Sequence, residues 1–157
     1  MKTIADLHIH SRFSMATSKE GTPENLDFWA RKKGISLMGT GDFTHPVWRE
    51  ELKERLVAEG NGLYRLRDEY VKEESRKFPG KGTHFVVSGE ISSIYKKNGK
   101  TRKVHNIILL PSLEAADAMA QRLEKIGNIH SDGRPILGLD SHDLLEMMLD
   151  VCPEGIL

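Results

Sequence analysis

Apolar and polar positions along the 157-residue chain fall into short blocks whose order reads strand, helix, strand. Thr3 to Ile9 predicts a short buried strand. Thr22, Pro23 and Glu24 then supply an N-cap, a first-turn proline and a first-turn acid. The helix they open runs to about Lys33, with Leu26, Phe28, Trp29 and Ala30 as its core-facing stripe and Gly34 as the left-handed residue at its exit. Ile35 to Met38 is the second strand, and this order of elements predicts parallel pairing through a right-handed crossover.

Val47 to Glu59 reads as a charged amphipathic helix closed by Gly60 and Gly62. Leu63 to Gly82 mixes a possible short strand with a helix around Asp68 to Lys77. Phe85 to Ser88 is a β-branched and aromatic run, and Ile91 to Tyr95 and Val104 to Leu110 flank Asn98-Gly99, a strong hairpin signal. After Pro111, Ser112 caps a helix through Leu123 that places Leu113, Ala116, Met119, Ala120 and Leu123 on one face. A further helix follows Asp140 or Ser141. Pro153 to Gly155 reads as a turn, and Ile156 and Leu157 as the start of a buried strand, which predicts a longer parent protein. With no repeat, low-complexity segment or linker, the expectation is one domain or part of one.

Composition narrows the partners only slightly. Lys plus Arg and Asp plus Glu are both 23, so any contact with nucleic acid must come from local patches rather than from net charge. Cys152 is the only cysteine, which excludes an internal disulfide. With no cleavable apolar segment at the start, a reducing cytoplasm is expected. The apolar runs are far shorter than the roughly 20 residues a membrane helix needs, so no membrane association is expected.

The chemistry-bearing residues gather at predicted strand ends. His8 and His10 are two apart, so in a strand both imidazoles point the same way with Cα atoms about 6.5 to 7 Å apart, either as a metal pair or as structural side chains. The second strand leads into Gly39-Thr40-Gly41-Asp42-Phe43-Thr44-His45-Pro46, where Asp42 is a candidate carboxylate or a turn-making residue. His45 is a ligand, a substrate contact or a helix-entry residue. Glu90 follows the apolar run from Phe85, a costly place for an acid without a cation, unless it is simply exposed at a strand end. His105 precedes another apolar run and either joins the same edge or is a satisfied core residue. The hairpin carries Lys96, Lys97, Lys100, Arg102 and Lys103, which read as a phosphate-backbone contact or a solvated face.

Taken together, the residues resemble the PHP (polymerase and histidinol phosphatase) family. Asp6-Leu7-His8-Ile9-His10 matches its opening Asp-Leu-His-x-His motif, Gly39 to Asp42 its Thr-Asp-His segment, Ser88-Gly89-Glu90-Ile91-Ser92 its Gly-x-Glu-x-Ser segment, and Val104-His105 the next. The wording of residues 41–46 and 138–143 is closest to the endonuclease Q branch. The resemblance implies an α/β fold, an incomplete and distorted β/α barrel of mostly parallel strands with outer helices and one β-hairpin. Residues 1–157 would be the N-terminal portion of a single PHP domain, truncated here. It also implies a cluster of two or three divalent ions, Zn, Mn, Fe or Mg, held by His8, His10, Asp42, Glu90 and His105, with Asp6 orienting an imidazole. Asp42, Glu90 and His45 would serve catalysis, and the implied activity is cutting DNA 5′ of deaminated bases such as uracil or hypoxanthine. A small-molecule phosphatase of the same fold and a noncatalytic metal-binding module are the alternatives. The isolated fragment is expected to be inactive and the full parent active.

Two departures stand out. Phe43 occupies the place of a family histidine, so Asp42 or His45 must compensate. The family's later histidine and final Asp-x-His are not identifiable in residues 1–157. Asp140-Ser141-His142 imitates the latter but reads as a helix cap, with metal binding the other reading.

Overall fold

The computed structural model describes residues 3–78 and 82–157. Strand β1 (Ala5–Asp6) is shorter than the Thr3 to Ile9 run predicts, because only its two residues pair in parallel with β2 (Leu37–Gly39). His8 and His10 therefore lie just beyond the paired strand. Between the two strands runs α1 (Pro23–Lys33), with the Thr22 side chain accepting from the Asn25 N–H and Gly34 at φ +73° closing the helix as its sequence signals require. Trp29, assigned to the inward stripe by spacing, is 48% exposed with the Lys32 ammonium 4.7 Å from its ring centre. Asp27 takes an inward position instead, its charge met by Arg31 at 2.7 Å.

Helix α2 (Pro46–Arg55) stops short of the predicted Glu59. Leu56–Gly60 forms β3, which turns through Asn61 and Gly62 into the antiparallel β4 (Leu63–Leu66). The left-handed backbone at Gly60, Asn61 and Gly62 is a turn signal that the helical spacing before it obscures. Two short 3-10 helices, Asp68–Tyr70 and Glu73–Lys77, stand where one helix was expected. Part of the Leu63 to Gly82 reading, residues 79–81, lies outside the described residues.

The runs at Phe85 to Ser88 and Ile91 to Tyr95 are one strand, β5 (His84–Lys97), paired without a register break to β6 (Lys100–Leu110) from Val87–Leu110 to Lys97–Lys100. Asn98 and Gly99 both have positive φ, the geometry of a two-residue hairpin turn. Ser112 caps α3 (Leu113–Glu124), β7 (Ile136–Leu137) lies parallel to β5 at Ser92 and Ser93, and Asp140 caps α4 (Ser141–Val151). Ile156 forms an antiparallel bridge to Leu109.

The strand order is β1-β2-β5-β4-β3, with β6 and β7 on the later half of β5. Only β4 and β6 run against the other five strands, so most of the strands are parallel and the sheet is open rather than a closed barrel. Because side chains alternate along β5, Val87, Gly89, Ile91 and Ser93 share one face with Tyr95 and Lys97, while Ser88, Glu90 and Ser92 share the other. The first face meets the core and the start of α4, where Lys97 reaches Asp140 at 2.6 Å. The second face carries the chemistry.

Gly89 on the first face makes room for Phe43. A Cβ there would stand 2.6 Å from Cδ1 of Phe43, a ring with no solvent exposure. Replacing Gly89 with Ala forces the ring out of its seat and is expected to cost about 1–3 kcal/mol. Urea unfolding reads this directly, and an unchanged midpoint would rule out the tight packing of Phe43 on β5.

Candidate metal centre

The site begins with chain direction. Parallel pairing of β1, β2 and β5 delivers the carboxyl end of β1, the loop after β2 and the middle of β5 to one place. The loop after β2 is pinned by its own polar groups. The Thr40 N–H donates to the Val86 carbonyl, the Gly41 N–H to Ser88 Oγ, the Phe43 N–H to the Ser88 carbonyl, and the buried Trp48 indole N–H to the Gly41 carbonyl at 2.9 Å.

Glu90 stands at the centre with only 2% of its surface exposed. Its Oε2 lies 2.6 Å from His8 Nε2 and 3.5 Å from His10 Nε2. Its Oε1 faces His105 Nδ1 at 2.9 Å and Arg134 Nε at 4.0 Å. None of these groups is aligned to hydrogen-bond Oε1, which has no such partner among the described residues. His105 and Ser92 are directly opposite across β5 and β6, so the strand register puts His105 on the face that carries Glu90.

Asp42 serves His10 from behind. Its Oδ1 lies 3.1 Å from His10 Nδ1. Its Oδ2 accepts from the Ser11 N–H at 2.7 Å, Ser11 Oγ at 2.7 Å and Ser14 Oγ at 2.9 Å. A carboxylate with no solvent exposure is costly unless its lone pairs are met, and here three donors and an imidazole meet them. Gly133 closes the pocket. A Cβ there would fall 2.3 Å from Asp42 Oδ2, so only glycine permits this approach. With Nδ1–H of His10 given to Asp42, the Nε2 lone pair is aimed toward Glu90, the arrangement by which carboxylates orient metal-binding imidazoles.

The sequence candidates therefore divide. His8, His10, Glu90 and His105 converge, and Asp42 joins them through His10. Asp6, expected to orient an imidazole, makes no side-chain hydrogen bond or ion pair among the described residues, and Asp42 does that work. His45 stands outside the group: its ring stacks on Phe13 with centres 4.2 Å apart, and its Nδ1 is buried without a hydrogen-bond partner among the described residues. Burial lowers its pKa, against the opposing pull of Asp42, so the ring is held neutral. Asp140 caps α4, its Oδ1 accepting from the His142 N–H at 3.0 Å. His142 makes a separate, exposed group with Asp143 and Glu146. The hairpin lysines and Arg102 are exposed. Ser11, Ser14, Gly133 and Arg134 escaped the sequence reading. Ser11 directly follows the His-x-His motif and had a local signal, whereas Gly133 and Arg134 lie in a polar loop that only the fold returns to Asp42 and Glu90.

One donor atom each from His8, His10 and Glu90 lies within 4.8 Å of the others. Two imidazole nitrogens and a carboxylate are a donor set that zinc and similar divalent ions accept, and the unbonded Oε1 beside His105 leaves a second carboxylate oxygen for the same purpose. The residues fit a metal. A cavity of about 450 Å³ bounded by Lys53, Tyr64, Arg67 and Leu113 is lined by none of them.

No family model matches the chain. Over 95% of its length it superimposes on the lesion-specific endonuclease PfuEndoQ from Pyrococcus furiosus with a TM-score of 0.75 and 28% identity. The chain is similar in structure to endonuclease Q. A second structure of endonuclease Q, in complex with a 27-mer duplex substrate carrying an abasic lesion at the active site, matches with a TM-score of 0.72 and 27% identity over 97% of the chain. Uncharacterized protein MJ0043 of Methanocaldococcus jannaschii is 34% identical over 147 residues, 93% of this chain. The chain spans about a third of the endonuclease Q chains, 32% and 33%, and 15% of the Methanocaldococcus protein. The likeness to endonuclease Q supports the open, mostly parallel α/β fold.

Two outcomes follow from the geometry. Glu90→Gln keeps the shape but removes the charge shared by three imidazoles, and is expected to abolish stoichiometric Zn or Mn binding measured by calorimetry and elemental analysis. Full retention of metal would show that the ion is held elsewhere. The hydrogen bond to Asp42, only partly offset by burial, raises the His10 pKa above 6.5. A proton must therefore leave His10 before a metal binds, so affinity should rise with pH from about 6 to about 8, with proton release seen in buffers of different ionisation heat. Affinity independent of pH across that window would exclude His10 as a ligand.

Proposed function

We propose that this chain is the N-terminal portion of a PHP-type metal-dependent phosphodiesterase, and that the longer protein nicks duplex DNA on the 5′ side of damaged nucleotides. Deaminated bases, uracil and hypoxanthine, are the proposed lesions. The observation that carries this reading is Glu90, a buried carboxylate between three imidazoles with one oxygen left unbonded. The likeness to endonuclease Q, one structure of which holds a lesion-bearing duplex, supports DNA as the substrate class.

Divalent ions held there, two or three of Zn, Mn, Fe or Mg, would polarise the phosphoryl group and lower the pKa of an attacking water. The chain's own residues do the rest. His8 and His10 supply nitrogen donors on the Oε2 side of Glu90 and His105 on the Oε1 side, so Glu90 spans the cluster. Asp42 fixes the tautomer and direction of His10. Arg134 brings a planar cation to the same rim, suited to a phosphate oxygen that gains charge as the ester bond breaks.

The test uses the longer polypeptide that contains this chain and a uracil-containing duplex. Nicking 5′ of uracil that chelator stops, added metal restores and Glu90→Gln abolishes is the expected result. Release of phosphate from a small phosphomonoester without nicking would transfer the site to a phosphatase. Metal binding with neither reaction would make it a binding module.

A further inference from the structure

We infer that Lys103 and Lys96, rather than the hairpin's basic residues as a set, are the contacts for a phosphate backbone running out from the metal cluster. The inference rests on the proposed DNA substrate and adds a direction to it. β5 and β6 pair without a bulge from Val87–Leu110 to Lys97–Lys100, so the alternation of faces set at Glu90 persists to the turn. On the face of Glu90, Ser92 and His105 lie Ile94, Lys96, Thr101 and Lys103. On the opposite face lie Tyr95, Lys97, Lys100 and Arg102.

That opposite face already has an occupant. Lys97 is paired with Asp140 at 2.6 Å, which ties the hairpin to the first turn of α4. On the Glu90 face Lys96 and Lys103 are exposed. Lys103 is one same-face step beyond His105, about 6.5 to 7 Å along β6, close enough that ribbon twist has not yet turned it away. Lys96 follows on the neighbouring strand, in register with Thr101. Ile136, 66% exposed, is in register with Ser92 on this face. It stands level with His105 on the other side of β5, and an apolar side chain beside the cluster suits a nucleotide, with its sugar and base, better than a bare phosphate.

The experiment compares two double variants of equal charge in the longer polypeptide that contains this chain, Lys96→Gln with Lys103→Gln and Lys100→Gln with Arg102→Gln. Binding of a uracil-containing duplex is followed by fluorescence anisotropy across a salt series, with metal content measured in parallel. The first pair is expected to weaken binding several-fold and to lower the slope of log K against log salt by about 2, one contact per lysine. The second pair should leave the slope unchanged, and metal content should be native in both. Equal losses from the two pairs, or a loss confined to the second, would overturn the face assignment while leaving DNA as the substrate. No salt-dependent binding by the unsubstituted longer polypeptide would overturn both the assignment and the DNA reading beneath it.

Discussion

A carboxylate withdrawn from water must be answered by polar partners or a cation, and the architecture is the answer given to Glu90. β5 is apolar enough to be buried along its middle, and it carries an acid there. Parallel pairing with β2, and of β2 with β1, brings two histidines to one oxygen. Antiparallel pairing with β6 brings a third to the other. Arg134, arriving just before β7, adds a guanidinium 4.0 Å from the same carboxylate. The acid is thus surrounded by groups drawn from separate parts of the chain, which makes the geometry of the cluster inseparable from the topology of the sheet.

Asp42 shows the same constraint one layer back. It has a left-handed backbone, φ +52°, and no exposed surface, an expensive combination for an ordinary loop residue. Ser11, Ser14 and His10 compensate by saturating its carboxylate. Phe43, at the position where the PHP motif that this segment resembles has a histidine, packs on Gly89 and leaves the polar side to its neighbour. His45 does not replace the missing imidazole; it stacks on Phe13. The connection to the cluster at this position therefore passes through Asp42.

What the sequence disclosed was mostly local. The caps at Thr22, Ser112 and Asp140 and the turn at Asn98-Gly99 are decided within four residues, and each stands where its pattern puts it. His8, His10, Glu90 and His105 were legible because a polar ionisable residue at the edge of an apolar run is conspicuous. Leu56 to Gly60 was misread because Glu51 to Arg55 continues a helical spacing into it, and only pairing with β4 turns it into a strand. Trp29 was misread because its ring stays exposed beneath the Lys32 ammonium, while Asp27 points inward to meet Arg31. Arg134 and Gly133 had no local signature at all, since their significance arises only when a distant loop closes over Asp42.

The hairpin has a liability as well as a use. Apart from the bridge between Leu109 and Ile156, β6 offers its outer row of peptide groups to no neighbour among the described residues. An unpaired strand of this length is a template on which another chain can add itself, and charged side chains along such an edge are a common safeguard. Lys100, Arg102 and Lys103 crowd that row with like charge. Their abundance thus also keeps neighbouring molecules from stacking strand to strand, and a chain stripped of all of them would be prone to self-association.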